Sequence, residues 1–421
     1  MPSPLESRAR AEQIARVSYG RLVALVAART RDIAAAEDAL SEAFVAALSK
    51  WPEQGLPDNP EAWLLTVARN RLKDVDKSAA RRTTAGSLDD ETFAVGQVLR
   101  SAASSLEATR EIPDERLGLL FACAHPAIDE KIHTPLMLQT VLGFEAKDIA
   151  SGYLMPASAL AQRLVRAKRK IKANRIPFEI PEEVARAERL DSVLEAIYGA
   201  YALSWSDPDH AEGRRTTADE AVLLAHYVAE LLPEEPEAFG LAALLTFSAA
   251  RAQAREATHF VPLHEQPAES WDKALLRRAV ITLQYAAKRG RPGRFQIEAA
   301  IQSAHADRAH TGVVDWPSIV RLYEGLLRIA PTAGAAAARA AAVGFASGAP
   351  AGLRALEHDF PDETLEAVSR FQPYWAVKAH LLKELGDAQR AESAYARAIS
   401  LCTDPRVRAW LELEASRTRR Q

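Results

Sequence analysis

The chain has 421 residues and a formal net charge of −3; 48% of its residues are hydrophobic and 26% are charged. This length suits two or three domains, and the composition is typical of a soluble globular protein with substantial cores. No apolar stretch approaches the roughly 20 residues of a membrane-spanning helix, the N-terminal segment lacks a signal-peptide core, and two distant cysteines provide no disulfide framework. We therefore expect a cytoplasmic protein that does not contact a membrane.

The amino-acid usage favours helix throughout. Alanine is frequent, glycine is limited to 19 residues, and no alternating run bounded by turn residues indicates a strand. The predicted fold class is therefore all-α. Basic residues concentrate in residues 69–82 and 163–175, whereas acids outnumber bases in residues 179–237. Because a local basic patch marks a nucleic-acid footprint, the pI of about 6.4 does not exclude DNA binding.

The N-terminal part predicts two helices at about residues 6–30 and from residue 33 onward, with Asp32 as the cap of the second. The apolar positions of the second helix, which we expect to face inward, are Ile33, Leu40, Phe44, Val45 and Leu48. Asp38 and Glu42 are four residues apart, so their carboxylates project in the same direction. Such a pair ordinarily marks a solvated acidic face.

A third helix follows the Pro-, Gly- and Asn-containing loop at residues 52–60. Its apolar side includes Trp63, and a basic surface covers its other side. The polar and basic residues of this helix are Arg69, Asn70, Arg71, Lys73 and Lys77. The next stretch is polar and has little apolar periodicity, so we predict a helical domain at residues 6–82 and a linker at residues 83–112.

Residues 145–172 predict two short helices joined by a tight turn. Pro156 suits a helix entry because its missing N–H would be unpaired there in any case. The second helix has one apolar stripe, formed by Leu160, Leu164, Ala167 and Ile171. The polar and basic residues on its other faces include Ser158, Gln162, Arg163, Arg166, Lys168 and Lys170. This is a helix-turn-helix pattern, whose second helix enters the major groove while basic residues hold phosphates. The alternative is a solvated basic helix of an ordinary bundle.

Beyond residue 188 the pattern is helix after helix, broken by Pro and Gly. In the last predicted pair Gly386 ends one helix, and Ala391, Tyr395 and Ala398 place small, large and small residues on one face of the next. This arrangement is similar to a tetratricopeptide hairpin. We predict a helical-repeat extension over residues 188–421; the alternative is a plain helical bundle without repeat geometry.

Two histidine-containing segments raise an alternative, a metal-dependent enzyme. The first holds Cys123, His125, Asp129 and His133 within eleven residues, a spacing that fits no zinc pattern. The second is a break between helical blocks with His259 and His264, which we interpret as an ordered loop. We predict no metal, no cofactor and no catalytic site.

The order and spacing of these segments carry a family resemblance. AEDALSEAFVAAL, then NPEAWLLTVARNRLKD, a linker, and a helix-turn-helix ending AQRLVRAKRK resemble the extracytoplasmic-function sigma factors of bacterial RNA polymerase. RLGLLFACAHPAIDEKI, IPFEIPE and the long helical tail are similar to the subgroup with a tetratricopeptide-like C-terminal extension, often called the ECF42 group. The resemblance implies sigma region 2 at residues 6–82 and region 4 at residues 113–178.

The resemblance also implies roles for individual residues. Asp38, Glu42 and Phe44 match the segment that docks on core polymerase. The segment that handles the −10 element contributes Trp63, Arg69, Asn70, Arg71, Lys73 and Lys77. The −35 reader contributes Ser158, Gln162, Arg163, Arg166, Lys168 and Lys170. The implied partners are promoter DNA, the β′ clamp coiled coil and β flap of the polymerase, and a small YCII-related protein.

Several positions depart from the family pattern. Ser41 stands where glutamine is usual, Asp76 where an apolar residue is expected, and Ala159 and Ala161 where polar residues are often found. Asp76 and the two alanines leave open a helical adaptor on a sigma-like scaffold that no longer initiates transcription. The main expectation is a sigma factor that recognises both promoter elements and is regulated by its C-terminal helices.

Overall fold

The computed structural model describes residues 4–83, 112–153, 155–206, 211–252 and 259–418. Within these ranges the chain forms twenty α-helices, a 3₁₀ turn at Ala268–Ser270 and no β-strand, so the predicted all-α class is confirmed. The chain divides into two compact units, residues 1–224 and 225–421, with the boundary inside a helix. No described helix is both long enough and apolar enough to span a bilayer.

The first unit begins with a three-helix bundle, followed by a second group of helices. The bundle helices are α1 (Pro4–Thr30), α2 (Ile33–Gln54) and α3 (Pro60–Thr83). The second group consists of α4 (Ile112–Cys123), α5 (Glu130–Thr140), α6 (Ala146–Gly152), α7 (Ala157–Ala173) and α8 (Glu183–Ser206). The ninth helix, α9 (Ala211–Leu231), contains the boundary between the units.

Local signals explain where α2 begins and what the bundle buries. Asp32 is extended, and its side chain accepts a hydrogen bond from the Ala35 amide at 3.1 Å, which confirms the predicted cap. Leu22, Leu40 and Leu64 are fully buried in one core shared by the three helices. Burying one such side chain stabilises the fold by about 1.5–3 kcal/mol. This apolar core therefore holds α1–α3 together.

Close backbone contacts join the bundle to the second group. Gly20 of α1 lies against the backbone carbonyl of Val141, just after α5, and leaves no room for a Cβ atom. Phe178, which follows α7, packs against the bundle core, and its carbonyl lies against Gly118 of α4. The two groups thus pack tightly within the first unit.

The helix α8 packs on α4, α5 and α6 within the first unit. Its buried residues include Leu190, Val193, Leu194, Ile197 and Ala200. Arg116, a buried residue of α4, forms an ion pair with Glu220 of α9. The extension that the sequence places from residue 188 therefore starts inside the first unit.

The second unit is a succession of helices that pack on their neighbours in the chain. Its elements are α10 (Pro236–Ala249), α11 (Lys273–Ala287), α12 (Arg294–Ala306), α13 (Arg308–Thr311), α14 (Trp316–Ile329), α15 (Ala333–Ser347), α16 (Ala349–Asp359), α17 (Glu366–Ser369), α18 (Gln372–Leu385), α19 (Ala388–Leu401) and α20 (Pro405–Thr418). The helix α10 is apolar on nearly every side because α11 and α12 both pack on it.

The first helix of the pair α18–α19 ends at the glycine that the sequence predicted. Gly386 ends α18 with a φ of 86°, a left-handed conformation that glycine adopts without steric cost. Asp387 then caps α19 by accepting a hydrogen bond from the Arg390 amide at 3.1 Å. Ala391, Tyr395 and Ala398 are buried, as the small-large-small pattern indicated.

Candidate nucleic-acid interface

Helix α7 turns its apolar stripe toward the protein, as predicted: Leu160, Leu164, Ala167 and Ile171 are buried. Successive residues are about 100° apart around an α-helix, which assigns each remaining position to one of three other sides. One side faces a cleft, one is open to solvent, and one faces α2. The predicted −35 residues are distributed among all three.

The cleft side of α7 is basic. Arg163, Arg166 and Lys170 are exposed and line a cleft of about 450 Å³. The opposite wall includes Asp129 and Lys131, at the start of α5. Lys131 was not among the predicted DNA contacts, because the sequence alone does not reveal which helix faces α7. This cleft brings four cations from two helices together.

The solvent side of α7 carries Ser158 and Gln162, both exposed as predicted. Val165 and Arg169 lie on the same side and are also exposed. A surface of hydroxyl, amide, guanidinium and apolar groups is able to contact both base edges and the thymine methyl group.

The third side of α7 corrects the prediction for Lys168. Its side chain is only 9% exposed, and its ammonium donates to both carboxylate oxygens of Glu37 at 2.6 and 2.7 Å. One turn further, Lys172 pairs with Asp32 at 2.6 Å, and this hydrogen bond raises the lysine pKa. Both lysines lie beside the apolar stripe on the side that faces α2, where Lys168 is buried and Lys172 is 66% exposed. In this conformation Lys168 binds a carboxylate of its own chain and is not exposed for DNA.

The outward face of α2 combines acids with apolar side chains. Asp38 and Glu42 are exposed, as expected. Val45 and Leu48 are exposed by 64% and 46%, so the expectation that they face inward is wrong. Leu40 and the small residues Ala43 and Ala47 pack in the bundle core instead, so that residues 45 and 48 face outward.

Phe44 is half-buried between this outward face and the bundle core. Its ring stacks on Tyr19 with centroids 6.5 Å apart, and burial together with the charges of Glu37 and Asp38 raises the tyrosine pKa. Phe44 and Leu48 also line a second cleft of about 450 Å³ between α1 and α2. The α2 surface therefore offers carboxylates next to an apolar depression.

Helix α3 carries the predicted −10 residues. Trp63 and Arg69 are half-buried, and the Trp63 ring meets Trp51 edge-on at 5.5 Å. Asn70, Arg71 and Lys73 are exposed. The Arg71 guanidinium pairs with Glu42 at 2.5 Å, so a predicted −10 residue neutralises a predicted polymerase-docking residue. The side chains of Lys77 and Asp76 lie outside the described residues.

The histidine segments have identifiable roles within the chain. No group of three or more His, Cys, Asp or Glu side chains in the described ranges is arranged to hold a metal. The His125 ring accepts a hydrogen bond from the Ala127 amide at 3.0 Å, and Asp129 caps α5. His133 lies 3.2 Å from the Ile128 carbonyl, and burial lowers its pKa. His264 packs against Trp316 and Phe345, whereas His259 is exposed.

Comparison with known proteins identifies relatives of both parts of the chain. An uncharacterized protein, R00370 of Rhizobium meliloti strain 1021, is 34% identical over 393 residues, which are 91% of this chain and 90% of that protein. The chain belongs to the same family as R00370. Residues 15–83, which form nearly all of α1–α3, match the sigma-70 region 2 family. Residues 189–287 match DUF6596, a family of unknown function.

A probable RNA polymerase sigma factor, RfaY of Xanthomonas campestris pv. campestris, is 28% identical over 163 residues, covering 37% of this chain and 40% of that protein. No solved structure matches the chain. The region 2 match and this relative support a sigma-factor-like role.

Proposed function

We propose that this protein is a sigma factor that binds core RNA polymerase, recognises the −10 and −35 promoter elements and directs transcription initiation. The observation that supports this most is the coincidence of the sigma-70 region 2 match with the α1–α3 bundle. That bundle has an acidic and apolar face on α2 and a row of polar and basic side chains on α3. Region 2 implies contact with core polymerase and promoter DNA.

The polymerase would dock on the outward face of α2. Asp38 and Glu42 offer carboxylates that suit an arginine-rich partner, and Val45 and Leu48 add exposed apolar area. Large, adjacent apolar side chains on a surface commonly mark a protein-binding site. We assign this face to the β′ clamp coiled coil and expect the β flap to contact residues 113–178.

The −10 strand would run along α3. The exposed Asn70, Arg71 and Lys73 and the half-buried Arg69 supply cations and hydrogen-bond donors, and Trp63 supplies an aromatic ring at the start of the row. Basic grooves with aromatic side chains suit single strands because every base has a stacking face. Arg71 must exchange Glu42 for a phosphate or base when DNA binds.

The −35 element would be read by α7 after α6, as in a helix-turn-helix. Ser158 and Gln162 on the solvent side would face the bases, and Arg163, Arg166 and Lys170 would contact bases or the adjoining phosphates. The four-cation cleft supports this assignment, since phosphates supply much of the affinity of proteins for DNA.

The C-terminal helices would regulate these activities. We propose that they form a tetratricopeptide-like extension of the ECF42 type, that the protein acts in the cytoplasm without catalytic activity, and that a small YCII-related protein is a partner. The match of residues 189–287 to a family of unknown function gives this region a family but no established role.

A helical adaptor that no longer initiates transcription is the second candidate. It is favoured by the pairing of Arg71 and Lys168 with acids of the same chain. Transcription in vitro with core polymerase, on DNA from upstream of the protein's own coding region, separates the two. A run-off product that depends on this protein supports the sigma factor. Binding to polymerase without a product on that DNA or on a library of random upstream fragments supports the adaptor.

A further inference from the structure

The contact between α2 and α7 joins two helices to which different promoter tasks are assigned. Lys168 is almost completely buried, and its ammonium meets both oxygens of Glu37, which is itself 21% exposed. A lysine removed from water to this extent requires a charged partner, because an unpaired buried ammonium is strongly unfavourable. Glu37 is that partner here.

A second pair extends this contact by one turn of α7. One oxygen of Asp32 accepts from Lys172 at 2.6 Å, while the other accepts from the Ala35 amide as the cap of α2. The carboxylate is thus held by its own helix in the position where it meets Lys172. The α2–α7 contact, defined by the pairs Glu37–Lys168 and Asp32–Lys172, therefore places two carboxylates against lysines on two consecutive turns of α7.

The geometry of a promoter is incompatible with this contact. The −35 and −10 elements lie roughly 25 base pairs apart, or roughly 85 Å along the duplex at 3.4 Å per pair. Helix α7 cannot read one element while it touches the bundle that reads the other. In the sequence, 28 residues separate Thr83 from Ile112, and any chain of that length can span at most about 90–100 Å, which permits separation.

We propose that α2 is an internal competitor of promoter DNA. Asp32 and Glu37 occupy Lys168 and Lys172 as DNA phosphates would. Together with the Gly20–Val141 crossing and the packing of Phe178 on the bundle core, they keep the free protein in a closed form that is unable to engage both promoter elements. This inference rests on the proposed function. Glu37 immediately precedes Asp38, so a partner that docks on α2 and prefers the separated form would shift the population toward it.

A distance measurement tests the closed form without reference to transcription. Lys50→Cys on α2 and Asn174→Cys at the end of α7 are exposed positions for spin labels, and both native cysteines are buried. In the full-length protein we expect a single short distance between the two spin labels. The substitutions Asp32→Asn and Glu37→Gln together should broaden the distribution of this distance and shift it to longer values. Asparagine retains the capping ability of position 32. The charge-matched control, Glu53→Gln with Asp58→Asn, neutralises two exposed acids away from α7 and should leave the distance unchanged.

Binding to DNA tests the competition. The probes are a 30-base-pair duplex from upstream of the protein's own coding region and a random duplex of equal length. If the closed form holds about 90% of free molecules, Asp32→Asn/Glu37→Gln should raise the apparent affinity for both duplexes about tenfold. The affinity should rise for both duplexes, because Asp32 and Glu37 occupy lysines that would contact DNA phosphates and phosphate contacts do not depend on base sequence. The control pair should gain far less.

The exchanged pair Glu37→Lys with Lys168→Glu provides a second variant. It should restore the short distance that either single exchange abolishes. If Asp32→Asn/Glu37→Gln has the wild-type label distance and the same DNA affinity as the control variant, α2 is not an internal competitor. If neither the wild type nor any variant supports transcription with core polymerase, the proposed function is contradicted. The distance measurement would still show whether the closed form exists.

Discussion

At the scale of single residues, the two acids on the outer face of α2 lend themselves to a direct test. Asp38 and Glu42 are exposed, and the Glu42–Arg71 pair is more than half exposed on both sides. Such surface pairs contribute about 0–1 kcal/mol to stability. Replacing Asp38 and Glu42 should therefore weaken the binding of a partner and leave the fold intact.

Asp38→Arg with Glu42→Arg should abolish binding to core polymerase, since each charge-assisted hydrogen bond lost is worth about 1.5–3 kcal/mol and like charges would then oppose. Glu53→Arg, on the same helix, is the control. Thermal unfolding should be nearly unchanged in all three proteins. Wild-type co-purification of the doubly substituted protein with polymerase would remove this assignment.

In the cleft beside α7, the proposed base contact Arg163 can be distinguished experimentally from the proposed phosphate contact Lys131. Arg163→Ala should cost about 1–3 kcal/mol on the correct −35 sequence, with little change on other sequences. Lys131→Ala should weaken binding to all sequences alike and reduce the salt slope by about 0.9. Lys147→Ala is a control, because that exposed lysine on α6 pairs with its neighbour Glu145. An equal loss on specific and random DNA for Arg163→Ala would limit it to a phosphate contact.

Two buried histidines predict an acid-sensitive second unit. Burial lowers the pKa of His226 and of His305 to about 4, with Arg278 and Arg251 as respective further causes. The pKa of each is near 6.5 when unfolded, so their neutral forms favour the fold fully above about pH 6.5, and this contribution is lost between about pH 6.5 and 4. Each histidine should contribute on the order of 3 kcal/mol to that loss.

Unfolding measured across this pH range should show the second unit losing stability on acidification. His226→Gln with His305→Gln should flatten the profile while lowering stability near neutral pH. His358→Gln replaces an exposed histidine and should leave the profile as in wild type. An identical pH profile in the doubly substituted protein would show that other groups cause the acid response.

At the scale of elements, the crossing of α1 with the end of α5 depends on Gly20. A Cβ atom at this position would collide with the backbone carbonyl of Val141, which cannot rotate away. Overpacking of this kind typically costs about 1–3 kcal/mol. The crossing helps to hold the bundle against the second group of helices.

Gly20→Ala should therefore destabilise the protein, whereas Gly199→Ala in α8 should stabilise it. The Cβ at 199 meets no atom within 4 Å, and replacing glycine by alanine inside a helix gains about 0.5–1 kcal/mol. Chemical denaturation of the two variants should shift the midpoint in opposite directions. A stabilising effect of Gly20→Ala would mean that α1 and α5 do not pack as described.

At the scale of the whole molecule, the place where the C-terminal part is removed determines what a truncation can report. A stop after Arg186 deletes nearly all of α8, whose buried row packs on α4 and α5. A stop after Leu231 keeps α8 and also keeps Glu220, the partner of the buried Arg116. Removing one partner of a buried ion pair costs about 3–5 kcal/mol.

We expect the fragment 1–186 to be poorly soluble and the fragment 1–231 to fold, as measured by sedimentation and thermal unfolding. Raised transcription by the longer fragment would indicate that the C-terminal unit inhibits. Polymerase binding without transcription would indicate that it activates. Wild-type activity would contradict the regulatory proposal in both forms, and a folded fragment 1–186 would show that α8 is dispensable for the first unit.

Much of the local structure could be predicted from the sequence because it depends on residues close together in the chain. The buried stripe of α7 follows from apolar spacing at the helical period, and Asp32 and Gly386 mark helix ends through contacts with their own neighbours. The exposed acids of α2 and the exposed polar and basic residues of α3 were likewise predicted from their positions in the helical pattern. Hydrogen bonds within a helix and side chains three or four residues apart make such features nearly independent of the remaining fold.

Three features were decided only by the tertiary structure. Glu37 meets Lys168 across 131 positions of sequence, Lys131 reaches the cleft of α7 from another helix, and Val45 faces solvent although its spacing resembled a core position. Helical periodicity defines the faces of one helix but does not specify which neighbouring helix covers each face. A basic side chain on an amphipathic helix is therefore free for DNA or bound to a carboxylate according to the helix packed against it.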